Sequence, residues 1–379
     1  MTAKERVACA FELRPYDKVP IYQAGFSAAV GSQILGREAF VGGGRVQYLE
    51  AVALWNGEQA HREYLRRCHD DAVELCRTLK LDVVRTTYWR MPEKPTRRID
   101  EFTFLYGDEN ATWRVMRHDP HTELYQIIDH SPVPAPTIED LERGVAALEE
   151  RVESYEPAPA MFDAIKRTMD EFGEDGVPYG GGGVGLCIPR EPIWLEAVAL
   201  RPDIVKRYLD AQAEQSARNA ALAAEHGIRY LYGGGDFASA RGPFYSPRAF
   251  HELMLPGLRK ITAACEAAGT LHGFASDGDL WSVADDLFSN VHFFYELDCR
   301  AGMTIRRVRE TFPRVALLGG VNSETLHLGS VDDVKRETEQ AIEAAGELGG
   351  CVIGCSNQIV AGTPLQNVWA MMEILWQGA

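Results

Sequence analysis

The sequence predicts a single α/β domain over residues 1–379, folded as a (β/α)8 TIM barrel with an antiparallel β insertion after the second strand. Three observations carry this. Short β-branched or aromatic runs alternate along the chain with amphipathic stretches of helical period. The strand–helix units number eight, as a closed parallel barrel requires. One segment, 101–129, breaks the alternation with period-two hydrophobicity punctuated by turn residues. An open doubly wound sheet is the other arrangement that this strand count allows.

The units follow in order. "VPIYQ" (19–23) is a short apolar strand, and residues 46–79 read as helical, with Tyr64, Cys68, Ala72, Leu75, Cys76 and Leu79 on one face. "DVVRTTY" (82–88) is a second, β-branched strand. The insertion and its lid-like segment span 100–135, with turns at "YGDEN" and "HDPHT" and a Pro-rich exit. A helix near 159–172 precedes a strand at "GVGLCI" (183–188), and a long helix runs to about 225 with a break near Pro202. "RYLYGG" (229–234) leads to a helix started by Ser246 as N-cap and Pro247 in the first turn. Strands at 270–274, 291–297, 315–320 and 350–355 then alternate with helices near 279–288, 303–312 and 331–346, and a last helix follows Thr363 and Pro364.

Composition narrows the partners. The chain holds 46% hydrophobic and 25% charged residues, enough apolar material for a large core. A formal charge of −16 argues against nucleic acid or an anionic membrane as partner, because both need a concentrated basic surface. No apolar run of membrane-spanning length occurs, and the first residues lack the apolar centre of a signal peptide, so a soluble cytoplasmic protein is expected. Eight scattered cysteines are too sparse for a disulfide framework in so long a chain.

In a parallel barrel, chemistry belongs at the C-terminal ends of the strands. Gln23, Arg85, Arg190, Asp236, His272, Glu296, Asp298, Asn322 and Cys355 fall at or just past such ends. His292 and Cys351 begin strands and read as structural. Cys351 and Cys355 cannot share an ion, since about 13 Å of strand separates them at about 3.3 Å per residue. Cys355 therefore needs a partner from another strand, and His272 is the natural one. Zinc accepts both imidazole and thiolate, and a catalytic zinc takes three protein ligands. Glu296, Asp236, Asp298 and Cys299 compete for the third place. An ordinary buried histidine and a buried thiol are the plain alternatives. The glycine runs at 180–183 and 233–235 read as tight turns, because no Lys-Ser/Thr follows them. The acidic residues near 277–286 read as helix-capping or solvated.

The segments "RVACAFELRPYDKVPIYQ", "LLGGVNSETLHLGSVDDVKRETEQAI" and "GTPLQNVWAMMEI" resemble the uroporphyrinogen decarboxylase superfamily, and the likeness extends with gaps over nearly the whole chain. It implies the same barrel. The decarboxylases carry "R-Q-A-G-R-Y", where this chain has "YQAGF", so Tyr22 and Phe26 replace the carboxylate-holding arginines. Their catalytic aspartate has no counterpart in "VVRTTYW", nor their C-terminal histidine in "GCSNQIV". The other branch is similar to corrinoid-dependent methyltransferases, with zinc on an "H-x-C" segment and a later "G-C". His272 and Cys355 match two of those positions, while Phe274 replaces the first cysteine.

The resemblance thus implies a zinc-dependent methyltransferase with His272, Cys355 and Glu296 as catalytic ligands and Gln23, Arg85, Asp236 and Asn322 around the substrate. The methyl group would move between a small substrate, such as a methoxylated aromatic undergoing O-demethylation, and a corrinoid (cobalamin) on a partner protein. A homodimer is compatible with this. A metal-independent decarboxylase of a porphyrinogen-like or smaller carboxylate, and a non-catalytic corrinoid- or tetrapyrrole-binding barrel, are the alternatives.

Overall fold

The computed structural model describes residues 1–181 and 183–378. Its strands, in chain order, begin with β1 (Val83–Val84). An antiparallel group follows: β2 (Arg97–Arg98), β3 (Thr103–Gly107), β4 (Trp113–His118) and β5 (Tyr125–His130). Next come β6 (Val177–Pro178), β7 (Tyr230–Tyr232) and a small hairpin of β8 (Ala238–Ser239) and β9 (Gly242–Pro243). β10 (Leu271–Ala275), β11 (Phe293–Tyr295), β12 (Ala316–Val321) and β13 (Cys351–Cys355) complete the set.

The parallel strands form one series. β13, β12, β11, β10 and β7 are neighbours in that order, and β1 pairs with β6. Ile21 and Tyr22 join the two groups, Ile21 bridging to Ile353 and Tyr22 to Val83. The two ends of the series, β6 and β7, share no ladder among the described residues. A single backbone bond, Tyr232 N–H to Gly181 C=O at 3.2 Å, links their continuations.

Side chains of this series divide by parity, as successive residues of a strand face opposite ways. Tyr22, Tyr179, Tyr232, Ala275, Tyr295 and Val352 belong to an inner cluster closed at the strands' N-terminal end by Val7, Ala10 and Phe11 of the first helix, Ala3–Phe11. Ile21, Leu231, Phe274, Phe294 and Ile353 belong to the larger core that the outer helices cover. Close approach makes glycine obligatory at one junction. A Cβ on Gly354 would lie 1.8 Å from the Tyr22 carbonyl oxygen.

One strand falls elsewhere than the sequence suggests. Residues 183–188 join no ladder, and the strand sits upstream at β6. The helix Pro202–Glu225 explains the difference, because its side chains replace the ladder. Asn219 donates to Gly183 C=O at 2.8 Å and Ser216 to Gly185 C=O at 3.0 Å, while Gln212 accepts from Cys187 N–H at 3.1 Å and donates to its C=O at 3.0 Å. Val184, Leu186 and Ile188 bury outward against helices. Apolar alternation alone cannot tell this bracketed segment from a strand. Of the glycine run 180–183, Gly180, Gly181 and Gly183 have positive φ, as turns require, and residue 182 lies outside the described residues.

β2–β3–β4–β5 form an antiparallel sheet on the helix Gly44–Asn56. The Tyr48 ring stacks on His118 at 4.6 Å. The Glu123 carboxylate accepts from Ala28 and Ala29 N–H, both at 2.8 Å, satisfying the start of the helix Ala28–Leu35. Among the described residues, no helix is long and apolar enough to cross a membrane.

The Gly354 contact yields a direct expectation. Gly354→Ala should lower stability by about 3 kcal/mol, since backbone, not a movable side chain, must give way. Urea unfolding of the two proteins measures it, and a change below about 1 kcal/mol would refute the close approach.

Candidate active site

Four carboxylates gather beyond the C-terminal ends of β7, β10 and β11: Asp236, Asp277, Glu296 and Asp298. Asp277 N–H donates to Asp236 Oδ1 at 3.2 Å, and Gly278 N–H to Asp298 Oδ2 at 3.3 Å. Asn357, two residues past β13, reaches both Asp277 oxygens at 3.2 and 3.0 Å. Arg190 lies 3.7 Å from Asp236. Tyr179, next after β6, donates its hydroxyl to Glu296 Oε1 at 3.2 Å. Five segments of the parallel series thus meet here.

The crowding changes the chemistry of two acids. Burial, and then the charges of Asp277 and Asp236, push Glu296 up to about 7 against the opposing Tyr179 hydrogen bond. Burial and the charges of Asp236 and Asp298 push Asp277 up to about 6, with Asn357 opposing. Glu296 is also held at φ +64°, a conformation that L-residues seldom adopt. Such a backbone costs on the order of 1–3 kcal/mol and persists where surrounding structure imposes it, often at functional sites. The result is a partly buried carboxyl group on a left-handed backbone, with its pKa pushed toward neutral pH.

Aromatic rings line the floor and one wall. Tyr179 packs on Tyr232 at 4.8 Å between centroids, and Tyr232 on Tyr295 at 5.2 Å. Arg85 lies over Tyr88, Trp89 and Tyr179 at 5.1, 4.8 and 5.2 Å from their centroids. Its nitrogens donate to the Ala24 and Thr87 carbonyls. The segment carrying these rings is anchored by fully buried Glu50, which accepts from Met91 N–H and Arg90 Nε, each at 2.9 Å.

The structure brings Arg85, Asp236 and Glu296 to this mouth but turns His272, Cys355 and Gln23 away from it. His272 turns toward the outer helices, where its Nδ1 meets Thr262 Oγ1 at 2.8 Å. Thr262 donates to Asn290 C=O at 2.6 Å, so His272 Nδ1 carries the proton toward Thr262. Its Nε2 is buried without a partner, and burial, followed by neighbouring His292, lowers the ring to about 3. Cys355 shares the outward face with Cys351 and Ile353, and burial raises its thiol to about 12. His272, Cys355 and Glu296 therefore do not form a ligand set, and among the described residues no group of three His, Cys, Asp or Glu side chains is disposed to hold a metal. The residues assigned to zinc do not fit it.

Gln23 is likewise turned outward. It accepts from Cys355 N–H at 2.9 Å and donates to Met372 Sδ at 3.4 Å, which commits its amide to the outer layer and not to the mouth. Asn322 is an N-cap, accepting from Glu324 N–H at 2.7 Å at the start of Ser323–Leu328. Asp277 corrects the reading in the other direction. Asp279 does cap the following turn, through Trp281 N–H at 3.0 Å, but Asp277 belongs to the acidic cluster. Its signal was parity, because it lies two residues beyond inward-facing Ala275. Tyr179 and Asn357 carried no comparable signal in the sequence.

Comparison with known proteins adds two findings. The family model described as uroporphyrinogen decarboxylase (URO-D) matches residues 188–377. A methyltransferase from Methanosarcina mazei has a similar structure, with a TM-score of 0.64 at 19% identity over 100% of this chain and 99% of that one. No curated relative matches in sequence. At that identity the structural likeness speaks to the fold.

The His272 geometry sets a pH dependence. Its folded value lies below the ordinary 6.5, so below that pH the unfolded chain binds the extra proton. The ring's contribution to stability is complete above pH 6.5 and is lost as pH falls toward 3, at up to about 1.4 kcal/mol per pH unit. His272→Leu keeps the Thr262–Asn290 bond and should change stability by less than about 1 kcal/mol at pH 7.5. Urea unfolding from pH 5 to 8 should show a shallower acid slope for the variant. An unchanged slope would disprove the buried neutral ring.

Proposed function

Because residues 188–377 match its model, the chain belongs to the uroporphyrinogen decarboxylase family, and from that premise we propose a methyltransferase whose proton donor is Glu296. The substrate is a small methyl donor, best represented by a methoxylated aromatic. In the reaction, the bond between methyl carbon and phenolic oxygen breaks, the oxygen keeps the electron pair and takes the Glu296 proton, and the methyl group passes to an acceptor at the mouth. Asp277 returns a proton to Glu296 from the water side. Arg85 and the rings of Tyr88 and Trp89 hold the aromatic substrate.

The acceptor we assign is a corrinoid carried by a partner protein. Trp89 and Phe244 suit its flat face, since they stand 56% and 41% exposed on loops at the strands' C-terminal side. A corrinoid supplies a strongly nucleophilic cobalt. The architecture proposed with it is one (β/α)8 barrel domain over 1–379, its ring closing between β6 and β7, with 100–135 as a lid.

The observation that carries this reading is the Glu296 carboxyl hydrogen-bonded to Tyr179 beside Asp236 and Asp277, whose charges and its partial burial push it up to about 7. A departing phenolate needs a proton at neutral pH, and ordinary carboxylates have none to give. Decarboxylation of a polycarboxylate is disfavoured by the same cluster, in which four carboxylates gather beside Arg85 and Arg190. A purely binding role leaves the strained φ of Glu296 without a purpose.

Methylcobalamin formation from cob(I)alamin and a panel of methoxylated aromatics tests the proposal. Glu296→Gln should lower kcat at least about 100-fold, the usual scale of a general acid. The wild-type rate should fall as pH rises through about 7, where Glu296 loses its proton, and the variant's residual rate should not. No methyl transfer from any donor, or equal rates for both proteins, would sink it.

A further inference from the structure

A second cavity lies away from the acidic mouth, where β6 and β7 part. It measures about 460 Å³ and is walled by Ala8, Ile165, Met169, Val177, Pro178 and Ile228. Lys4 and Arg229 stand on its lining, but each already has an acid: Lys4 pairs with Glu174 at 2.9 Å and Arg229 with Glu12. Of the lining carboxylates Glu174 holds Lys4, Glu5 accepts from Thr2 N–H at 2.9 Å and Asp170 has no ion pair among the described residues, so the cleft repels anions and admits a neutral occupant.

Its polar character comes from backbone. Leu271 N–H donates to Arg229 C=O at 2.8 Å, in register with the Leu271–Tyr230 pair. In a parallel ladder this turns the N–H and C=O of Tyr230 itself toward β6. Val177 and Tyr179 spend their N–H groups on Asp82 and Val84 carbonyls at 2.8 and 2.7 Å. The Pro178 carbonyl thus faces the cleft, and proline has no N–H to complete a rung there. The gap presents a backbone donor and acceptors beside an apolar wall.

We propose that this cleft is a binding site for a small neutral molecule that joins an apolar ring to a carboxamide. The amide takes the place of the missing rung, and the ring fills the space between the helices Ala3–Phe11 and Asp163–Phe172. The site communicates with the mouth through the same two strands. Tyr179 follows Pro178 directly and Tyr232 lies two residues past Tyr230, and these rings pack together beneath Glu296. An occupant that ties β6 to β7 fixes the tyrosine that holds the acid.

Benzamide titrated against the whole protein, followed by ligand-observed NMR, tests the site independently of any methyl-transfer assay. Saturable binding is expected, at least tenfold weaker for benzoate and at least tenfold weaker in Ala8→Trp, which fills the cleft. If Ala8→Trp loses cooperative unfolding, Met169→Trp serves in its place. Absence of saturable binding to the wild type, or affinity within twofold in a folded filled variant, would overturn the proposal.

Discussion

Parity along the parallel strands governs what this protein can do. Two residues one step apart on a strand face different layers, and no rotamer carries a side chain from the helix-covered layer to the mouth. His272 and Phe274 share a parity, as do Cys351, Ile353 and Cys355, and both sets sink into the outer core. Tyr179, Tyr232, Ala275 and Tyr295 hold the other parity and build the floor under the acids. A cysteine in place of Phe274 would sit on the helix side with His272. The departure from "H-x-C" thus lies within a stretch whose side chains serve packing in this chain.

The acidic mouth opposes the stability of the fold, and the surrounding structure offsets it. Raising Glu296 from 4.5 to about 7 means that ionising it in place costs on the order of 3 kcal/mol. For an acid with a raised folded pKa, stability is greatest below the unfolded value and declines as pH rises through the folded one. Near pH 7 the two forms of the acid are of equal free energy, so a proton is available there while the stability cost remains. The tyrosine floor holds the geometry rigidly enough to keep a left-handed backbone at Glu296. Strain and weakened acidity meet in one residue: a carboxyl group drawn partly out of water, crowded by Asp277 and Asp236 and carried on a left-handed backbone.

The sequence made the alternation of elements legible, because most helices carry a periodic apolar face and most strands are β-branched or aromatic. It failed at 183–188, where Gln212, Ser216 and Asn219 satisfy backbone groups from a helix and imitate the burial of a strand. At the site, position along a strand was readable and direction was not. Arg85, Asp236 and Glu296 came to the mouth, but Gln23 and Cys355 lie equally near strand ends and face away. Asp277 was hidden in an acidic loop whose other members do cap and solvate. Tyr179 follows a two-residue strand too short to announce its parity.

Charge then separates the chemistries open to the fold. A decarboxylase for polyanions needs fixed cations around its substrate, and this mouth sets Asp236, Asp277, Glu296 and Asp298 against two guanidiniums. One of those, Arg190, stands beside Asp236, and the other, Arg85, is held over aromatic faces and carbonyls. What remains is a site that repels anions and can protonate a leaving atom. The ether methyl donor proposed above suits both conditions, since it enters uncharged and its oxygen departs needing a proton. The acid that disqualifies a polycarboxylate is therefore the same group that would protonate the leaving oxygen in the methyl transfer proposed above.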